Sequence, residues 1–201
     1  TISRRQRQMC IRDRSSCLFS EDIDVTKYDF IYACAQKNFG PSGITLVIAK
    51  KELLEKSNPD LPNILKYDAH ASEGSMLNTP NTFGWYVAGK MFDWYLENGG
   101  VAEMEKQSIA KTAMLYDLID KSDFYVNPVN PEQRSINNVV FTIVNSELEK
   151  VFLEEAEKAD LRYLKGHRTV GGMRASIYNS MKMESVSALK DFMESFEKNY
   201  G

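Results

Sequence analysis

Cysteine and histidine are scarce in this chain, which has three cysteines (Cys10, Cys17, Cys34) and two histidines (His70, His167). That is too few for a disulfide framework or a convincing zinc cluster. We therefore expect no metal site, and a reducing compartment, the cytoplasm, as the location. No stretch approaches the roughly 18 uninterrupted apolar residues that a membrane span needs, so we expect no membrane partner.

What the chain does contain is typical of a folded protein. Hydrophobic residues make up 43% and aromatic residues 11% of its 201 residues, which excludes a disordered chain. The length is sufficient for one domain of ordinary size and a smaller one, each able to bury a core.

Charge is distributed unevenly along the sequence. Residues 1–14 contain five arginines and one aspartate, a local charge of +4, whereas the other 187 residues carry 20 basic and 27 acidic side chains, a charge of −7. An arginine-rich arm can be a nucleic-acid tail or a targeting peptide. The string RRQRQMCIRDR, however, resembles translated sequencing-adaptor read-through. We interpret residues 1–14 as foreign to the protein and infer no nucleic-acid partner from them.

The chain from residue 30 alternates strands and helices. Apolar and β-branched runs predict strands at residues 30–35, 44–49, 124–126, 139–144 and 175–178. Three- and four-residue spacing of apolar side chains predicts helices at residues 87–96, 101–120, 146–159 and 186–196. We expect Thr79-Pro80 to start the first of these helices and a capping box at residues 146–149 to start the third. This alternation argues for an α/β fold, with a boundary near residues 97–101.

Lys37 stands where the first apolar strand ends and the turn Gly40-Pro41-Ser42-Gly43 approaches. Partial desolvation at such an edge favours a neutral amine that can attack a carbonyl group. A solvated lysine at a strand end fits the same pattern, and periodicity alone favours that simpler interpretation.

His167, Arg168 and Arg174 lie among glycines near the C-terminus, in a chain that has few other arginines after residue 14. Guanidinium groups bind carboxylate and phosphate through paired hydrogen bonds, so this segment could hold a small dianionic substrate. An exposed loop with two ordinary arginines is the alternative. The loop at residues 75–79 could hold a phosphate, although an ordinary helix start explains it better.

Five motifs together resemble the phosphoserine aminotransferase family, in the order in which the family has them. They are YACAQKNFGPSG at residues 32–43, GSMLNTP at 74–80, NGGV at 98–101, KGHR at 165–168 and GGMRASIYN at 171–179. The resemblance runs from about residue 15 to residue 201, and several motifs in register make it far more specific than a lone lysine motif.

The resemblance implies the C-terminal part of a fold-type-I aminotransferase that depends on pyridoxal 5′-phosphate. Residues 15–98 would complete the large cofactor-binding domain, with the end of its sheet, and residues 99–201 would form the small C-terminal α/β domain. The family's N-terminal half carries the aromatic residue that stacks on the cofactor, and it is not in this chain. We therefore expect the fragment to be inactive by itself.

The activity implied is transfer of an amino group between glutamate and 3-phosphohydroxypyruvate, which gives 2-oxoglutarate and O-phosphoserine in L-serine biosynthesis. In bacteria the family also serves pyridoxine synthesis through a phosphorylated hydroxythreonine. A related aminotransferase acting on another small, neutral amino acid is the alternative. The implied assembly is a homodimer with active sites at the subunit interface.

By the same resemblance, Lys37 binds the cofactor and moves the proton at the substrate α carbon. Gln36 lies by the cofactor phosphate, and Asn78 and Thr79 reach the phosphate of the cofactor bound in the other subunit. In the substrate site, Arg174 matches the arginine that binds the α-carboxylate. His167 and Arg168 match residues that help to hold the substrate phosphate.

Two departures from the family pattern stand out. Cys34 occupies a position where the family usually has glycine, and its thiol either crowds the strand or points into a tolerant pocket. Asp13-Arg14-Ser15-Ser16 is in register with the family's aspartate-apolar-Ser-Ser motif, whose aspartate pairs with the cofactor's ring nitrogen. Arg14 replaces the apolar residue that follows this aspartate in the family, and both lie in the segment interpreted as foreign, so the match is either genuine or a coincidence.

Overall fold

The computed structural model describes residues 10–201, so most of the segment interpreted as foreign, residues 1–9, lies outside the described residues. The chain divides into two compact units. One unit ends at Gly100 and the other begins at Val101.

The first unit contains a three-stranded mixed sheet in the order β1-β2-β3. Its strands are β1 (Ile11–Asp13), β2 (Phe30–Cys34) and β3 (Thr45–Ala49). The central strand β2 pairs parallel with β1 and antiparallel with β3. The strands predicted at residues 30–35 and 44–49 are confirmed. Strand β1 was not predicted, because three residues in an arginine-rich segment give no apolar periodicity.

The described part of the first unit also contains the α-helices α1 (Lys51–Leu54), α2 (Tyr67–Ser72) and α3 (Thr82–Glu97). The predicted helix start at Thr79-Pro80 is wrong. Asn81 is the N-cap, and its side-chain oxygen accepts a hydrogen bond from the Gly84 N–H at 3.0 Å. Asparagine is at least as good a cap as threonine, so the helix begins one residue after Asn81.

The second unit packs helices against an antiparallel sheet in the order β4-β5-β6. Its elements are α4 (Gly100–Lys121), β4 (Tyr125–Val126), β5 (Asn138–Ile143), α5 (Leu148–Lys158), β6 (Met173–Ser176) and α6 (Met183–Tyr200). Aromatic side chains fill the core, where Phe141, Phe152 and Phe196 are almost completely buried. The helices and strands predicted for this unit are all present, each close to its predicted residues.

Two details of the second unit differ from the prediction. Helix α5 has no capping box: it begins at Leu148, its N-cap Glu147 makes no side-chain cap, and Asn145 Oδ1 instead accepts from the Glu147 N–H at 3.1 Å. Strand β6 begins at Met173, two residues before the predicted strand, because its pairing with β5 starts there. The earlier start places Arg174 inside the strand.

Within residues 10–201, no helix combines the length and the hydropathy needed to cross a membrane. The same part of the chain has no group of three or more His, Cys, Asp or Glu side chains arranged to hold a metal ion.

Candidate active site

Lys37 ends a single turn of 3-10 helix, Ala35–Lys37, that directly follows β2. The Ala35 carbonyl accepts hydrogen bonds from the backbone N–H groups of residues 38–40, at 3.0 to 3.2 Å. Ala35 is buried, whereas Lys37 is half-buried and Gln36 is exposed. The turn therefore presents the Gln36 and Lys37 side chains from a buried base.

Asn38 ties this turn to the loop that follows β1. Its buried side-chain amide donates to the Leu18 carbonyl at 3.0 Å and to the Ser20 hydroxyl at 3.1 Å. On the other side, the Tyr95 hydroxyl of α3 donates to the Asn38 carbonyl at 2.8 Å. Because both neighbouring elements hold Asn38, the backbone that carries Lys37 has little freedom to move.

Asp13 ends β1 and lies opposite Tyr32 of β2 in the sheet register. Its Oδ1 atom accepts two hydrogen bonds from Ser15, one from the hydroxyl at 2.6 Å and one from the backbone N–H at 2.9 Å. These two bonds, with smaller contributions from the Tyr32 hydroxyl and the charge of Lys37, lower the pKa of the Asp13 carboxyl. Asp13 is therefore ionised at neutral pH.

The two departures from the family motifs are both accommodated. The Cys34 thiol lies 3.7 Å from the Thr45 hydroxyl, and Cys34 still pairs with Thr45 in the sheet. The Arg14 guanidinium forms an ion pair with Glu21, donates to the Tyr28 hydroxyl at 2.8 Å and lies over the Tyr28 ring. Neither side chain interrupts the strands that carry Asp13 and Lys37.

Asn78 and Thr79 are exposed in the loop before α3. They line a cleft of about 480 Å³ together with Met76, Pro80, Thr82 and Trp85. The Asn78 amide makes one hydrogen bond, to the Thr79 carbonyl at 3.2 Å. Gln36 and Lys37 do not line this cleft, so the structure does not bring all the predicted cofactor ligands of the first unit together in one chain.

Arg174 lies in β6, opposite Val140 of β5. Its neighbours Met173 and Ala175 are buried, so the alternation of a strand places the Arg174 side chain on the other face of the sheet. Its Nε atom is buried and has no hydrogen-bond partner among the described residues. An unpaired buried donor of this kind costs about 1–3 kcal/mol, which an added carboxylate would offset.

His167 and Arg168 are exposed in the loop that leads back to β6. The His167 ring nitrogen Nδ1 lies 2.8 Å from the Thr169 hydroxyl, which orients the imidazole. A side chain at Gly166 would place its Cβ 2.0 Å from the Gly171 carbonyl oxygen, so only glycine fits there. The loop is thus tightly closed at its base while its tip exposes both side chains.

Sequence reasoning missed the part that Ser15 plays beside Asp13. The available signal was the spacing itself, because an aspartate often accepts hydrogen bonds from the residue two positions later in an Asx turn. The predicted residues otherwise fall into two groups. Asp13, Gln36, Lys37, Asn78 and Thr79 belong to the first unit, and His167, Arg168 and Arg174 belong to the second.

Comparison with known proteins defines the class of this chain. The family model described as aminotransferase class-V matches residues 2–189. The chain therefore belongs to the class-V aminotransferases. The match begins within the segment that we interpreted as foreign, and the origin of that segment stays a prediction.

Within that class, the chain is similar to phosphoserine aminotransferases, as the motifs predicted. The enzyme of Acinetobacter baylyi is 51% identical over 191 residues, which cover 95% of this chain and 53% of that protein. The structure of the Bacillus circulans subsp. alkalophilus enzyme matches with a TM-score of 0.92 at 41% identity, over 95% of this chain and 53% of that one. A PLP-bound enzyme from Trichomonas vaginalis matches with a TM-score of 0.86 at 38% identity, over 92% of this chain and 53% of that one.

These comparisons confirm the predicted fold class, an α/β fold that matches the phosphoserine aminotransferases of PLP fold-type I. The chain spans about half the length of the relatives it matches.

Proposed function

We propose that this chain is part of a pyridoxal-phosphate enzyme that transfers the amino group of glutamate to 3-phosphohydroxypyruvate, forming 2-oxoglutarate and O-phosphoserine for L-serine synthesis. The observation that carries the proposal is the pair formed by Lys37 and Asp13, presented by the ends of two adjacent parallel strands. The 51% identity to the Acinetobacter baylyi enzyme supports the substrate class.

The residues of the first unit fit the chemical groups of pyridoxal phosphate. The half-buried Lys37 amine has no ion-pair partner within 4.0 Å among residues 10–201, so it suits an aldehyde. The ionised Asp13 carboxylate suits a protonated ring nitrogen. Gln36, exposed beside Lys37, suits the phosphate. When bound, the cofactor supplies an electron sink for the negative charge that develops at the substrate α carbon.

The chain's own residues then have separate tasks. Lys37 would hold the cofactor through its amine, and its Nζ atom would move the proton at the substrate α carbon. The Asp13 carboxylate would pair with the ring nitrogen of the cofactor and keep that nitrogen protonated. Both tasks need fixed positions, which the hydrogen bonds of Asn38 and Ser15 provide.

The second unit supplies the substrate ligands in this proposal. Arg174 binds the α-carboxylate, for which its buried and unpaired Nε atom is a suitable donor. His167 and Arg168, exposed at the tip of their loop, bind the substrate phosphate. A phosphate ligand distinguishes this substrate class from the neutral amino acids of the alternative proposal.

We also propose that the enzyme works as a cytoplasmic homodimer. Asn78 and Thr79 face outward beside exposed aromatic side chains of α3, with Phe83 70% and Tyr86 66% exposed. Such apolar surface favours a covering partner, and a second copy would bring its cofactor phosphate to Asn78 and Thr79. The three cysteines are free thiols, which suits a reducing compartment.

A second proposal concerns the 201-residue chain by itself, which we expect to bind the cofactor weakly and to show no activity. It spans 53% of the Acinetobacter baylyi enzyme and leaves large apolar side chains exposed. The test is to supply the missing length: the N-terminal half of that relative is fused ahead of residues 10–201 to give what we call the completed protein. Transamination by the chain alone at the rate of the completed protein would contradict this expectation.

The completed protein also tests the proposed reaction. We expect glutamate-dependent formation of O-phosphoserine, abolished by Lys37→Ala and unaffected by Lys27→Ala, which removes an exposed lysine near the same sheet. Phosphohydroxypyruvate should react far faster than its unphosphorylated analogue. Equal rates would favour the alternative substrate class, and the same assay with 4-phosphohydroxythreonine tests the proposed role in pyridoxine synthesis.

A further inference from the structure

The Ser15 hydroxyl forms hydrogen bonds to two different elements of the first unit. It donates to Asp13 Oδ1 at 2.6 Å and accepts from the backbone N–H of Cys34 at 3.0 Å. The Ser15 backbone N–H donates to the same Oδ1 atom at 2.9 Å. Ser15 is only 9% exposed, so water competes little for these bonds.

The direction of these bonds is fixed by chemistry. A backbone N–H can only donate and an ionised carboxylate can only accept, so the single hydroxyl proton of Ser15 must point to Asp13. Cys34 is itself the N-cap of the turn Ala35–Lys37. One hydroxyl thus connects the carboxylate to the backbone that carries the amine.

We propose that Ser15 is a positioning residue that couples the Asp13 carboxylate to the backbone turn carrying Lys37. The inference rests on the proposed function, which assigns Asp13 and Lys37 to the cofactor. The pairing of strands does not require this role, since the sheet register alone places Asp13 beside Tyr32.

Coupling of this kind has two consequences for the site. Both Ser15 bonds end on Oδ1, so the carboxylate cannot rotate freely. The carboxylate and the Lys37 turn also move together, because Cys34 and Asp13 share one hydroxyl. A cofactor held at its aldehyde and at its ring nitrogen needs a constant distance between these two anchors.

Three variants separate this role from a merely structural one. Ser15→Ala removes the hydroxyl, Ser15→Thr keeps it, and Ser16→Ala removes the neighbouring hydroxyl, which takes no part in these bonds. All three are made in the 201-residue chain, and circular dichroism checks that each one folds. Asp13→Asn identifies the carboxyl signal of Asp13 in a carbon-13 NMR titration.

We expect the Asp13 carboxyl in Ser15→Ala to titrate at a higher pH than in wild type, because the strongest bond to its charged form is lost. Ser15→Thr and Ser16→Ala should titrate as wild type does. An unchanged Asp13 titration in folded Ser15→Ala would overturn the proposal. If Ser15→Ala does not fold, the test is Ser15→Thr. An Asp13 carboxyl that titrates there at the same pH as in wild type supports the proposal, and one that titrates at a different pH contradicts it.

The completed protein provides the second measurement, its affinity for pyridoxal phosphate followed by the absorbance of the cofactor. We expect Ser15→Ala to weaken binding by about tenfold, the scale of one hydrogen bond to a charged group, and Ser16→Ala to leave it unchanged. Equal affinity of wild type and Ser15→Ala would overturn the positioning role. Failure of wild type itself to bind pyridoxal phosphate would contradict the proposed function, whereas the NMR titration decides independently whether Ser15 controls Asp13.

Discussion

Lys111 in α4 is a buried ammonium group held by carbonyl oxygens instead of a carboxylate. It is 2% exposed, and its Nζ atom donates to the backbone carbonyls of Tyr178, Asn179 and Met181 at 3.4, 3.3 and 3.0 Å. The described part of the chain shows no acidic group within 4.0 Å of it. Lys111 therefore holds the backbone between β6 and α6 in place. The removal of its charge from water, in turn, lowers the stability of the fold.

Replacing Lys111 by methionine has two opposing effects. The methionine removes the desolvated charge, but it leaves three carbonyl groups, one buried and two partly buried, without their donor. Each buried group that finds no other partner costs about 1–3 kcal/mol. We expect the loss to dominate, with Lys111→Met lowering the free energy of unfolding of the second unit by about 2 kcal/mol at pH 7.

The pKa of Lys111 determines how the stability difference between wild type and Lys111→Met changes with pH. Burial lowers the pKa of Lys111 below its ordinary value, so between the folded pKa and the unfolded value near 10.4 the unfolded chain binds more protons. The stability of wild type therefore rises with pH between the folded and the unfolded pKa of Lys111. The full cost of burying the charge is present only at pH values below the folded pKa. Lys111→Met lacks this rise, so the stability difference between the two proteins should widen as the pH approaches 10.

Urea denaturation at pH 7 and pH 9.5, followed by circular dichroism, measures this difference. Trp85 and Trp94 both lie in the first unit, so tryptophan fluorescence provides an internal reference that the substitution should not alter. Lys106→Met is the matched control, because Lys106 lies on the same helix with its side chain 79% exposed. A Lys111→Met protein as stable as wild type at pH 7, or a difference that narrows as the pH rises, would refute the reasoning.

Two further predictions concern the residues around the proposed substrate ligands. Gly166→Ala should lower the free energy of unfolding of the second unit by about 1–3 kcal/mol, because the added Cβ would overlap the Gly171 carbonyl oxygen. An unchanged midpoint of urea denaturation would contradict the tight closure of the loop. In the completed protein, Arg174→Lys should raise KM for glutamate about tenfold with a smaller change in kcat, because the ammonium group of lysine cannot bind a carboxylate bidentately. An unchanged KM in steady-state kinetics would contradict the assignment of Arg174 to the carboxylate site.

The parts of the fold that follow from periodicity were predictable from the sequence. Helix α6 buries the four apolar residues expected of it, Val186, Leu189, Met193 and Phe196. Strands β2 and β3 consist of apolar and β-branched residues and were also predicted. Helix caps were less predictable, because two neighbouring polar residues can both supply an oxygen and only the folded backbone decides which one reaches the free N–H.

The chemistry of the site was only partly accessible to sequence reasoning. The pattern around Lys37 by itself favoured a solvated lysine, and only the resemblance of five motifs favoured a cofactor role. The bond between Ser15 and Cys34 and the bonds of Lys111 were missed because the partners are distant in sequence. Cys34 is 19 residues from Ser15, and the carbonyl groups that hold Lys111 lie 67 to 70 residues away. Such bonds depend on topology, which no local pattern contains.

The most direct test of the central claim is to find where pyridoxal phosphate attaches. The completed protein is incubated with the cofactor, reduced with borohydride, digested and mapped by mass spectrometry. We predict that the pyridoxyl group is on the peptide containing Lys37, and that it is absent from that peptide in Lys37→Ala. Attachment spread over exposed lysines such as Lys27 and Lys50, or a Lys37 peptide without the label, would contradict the account.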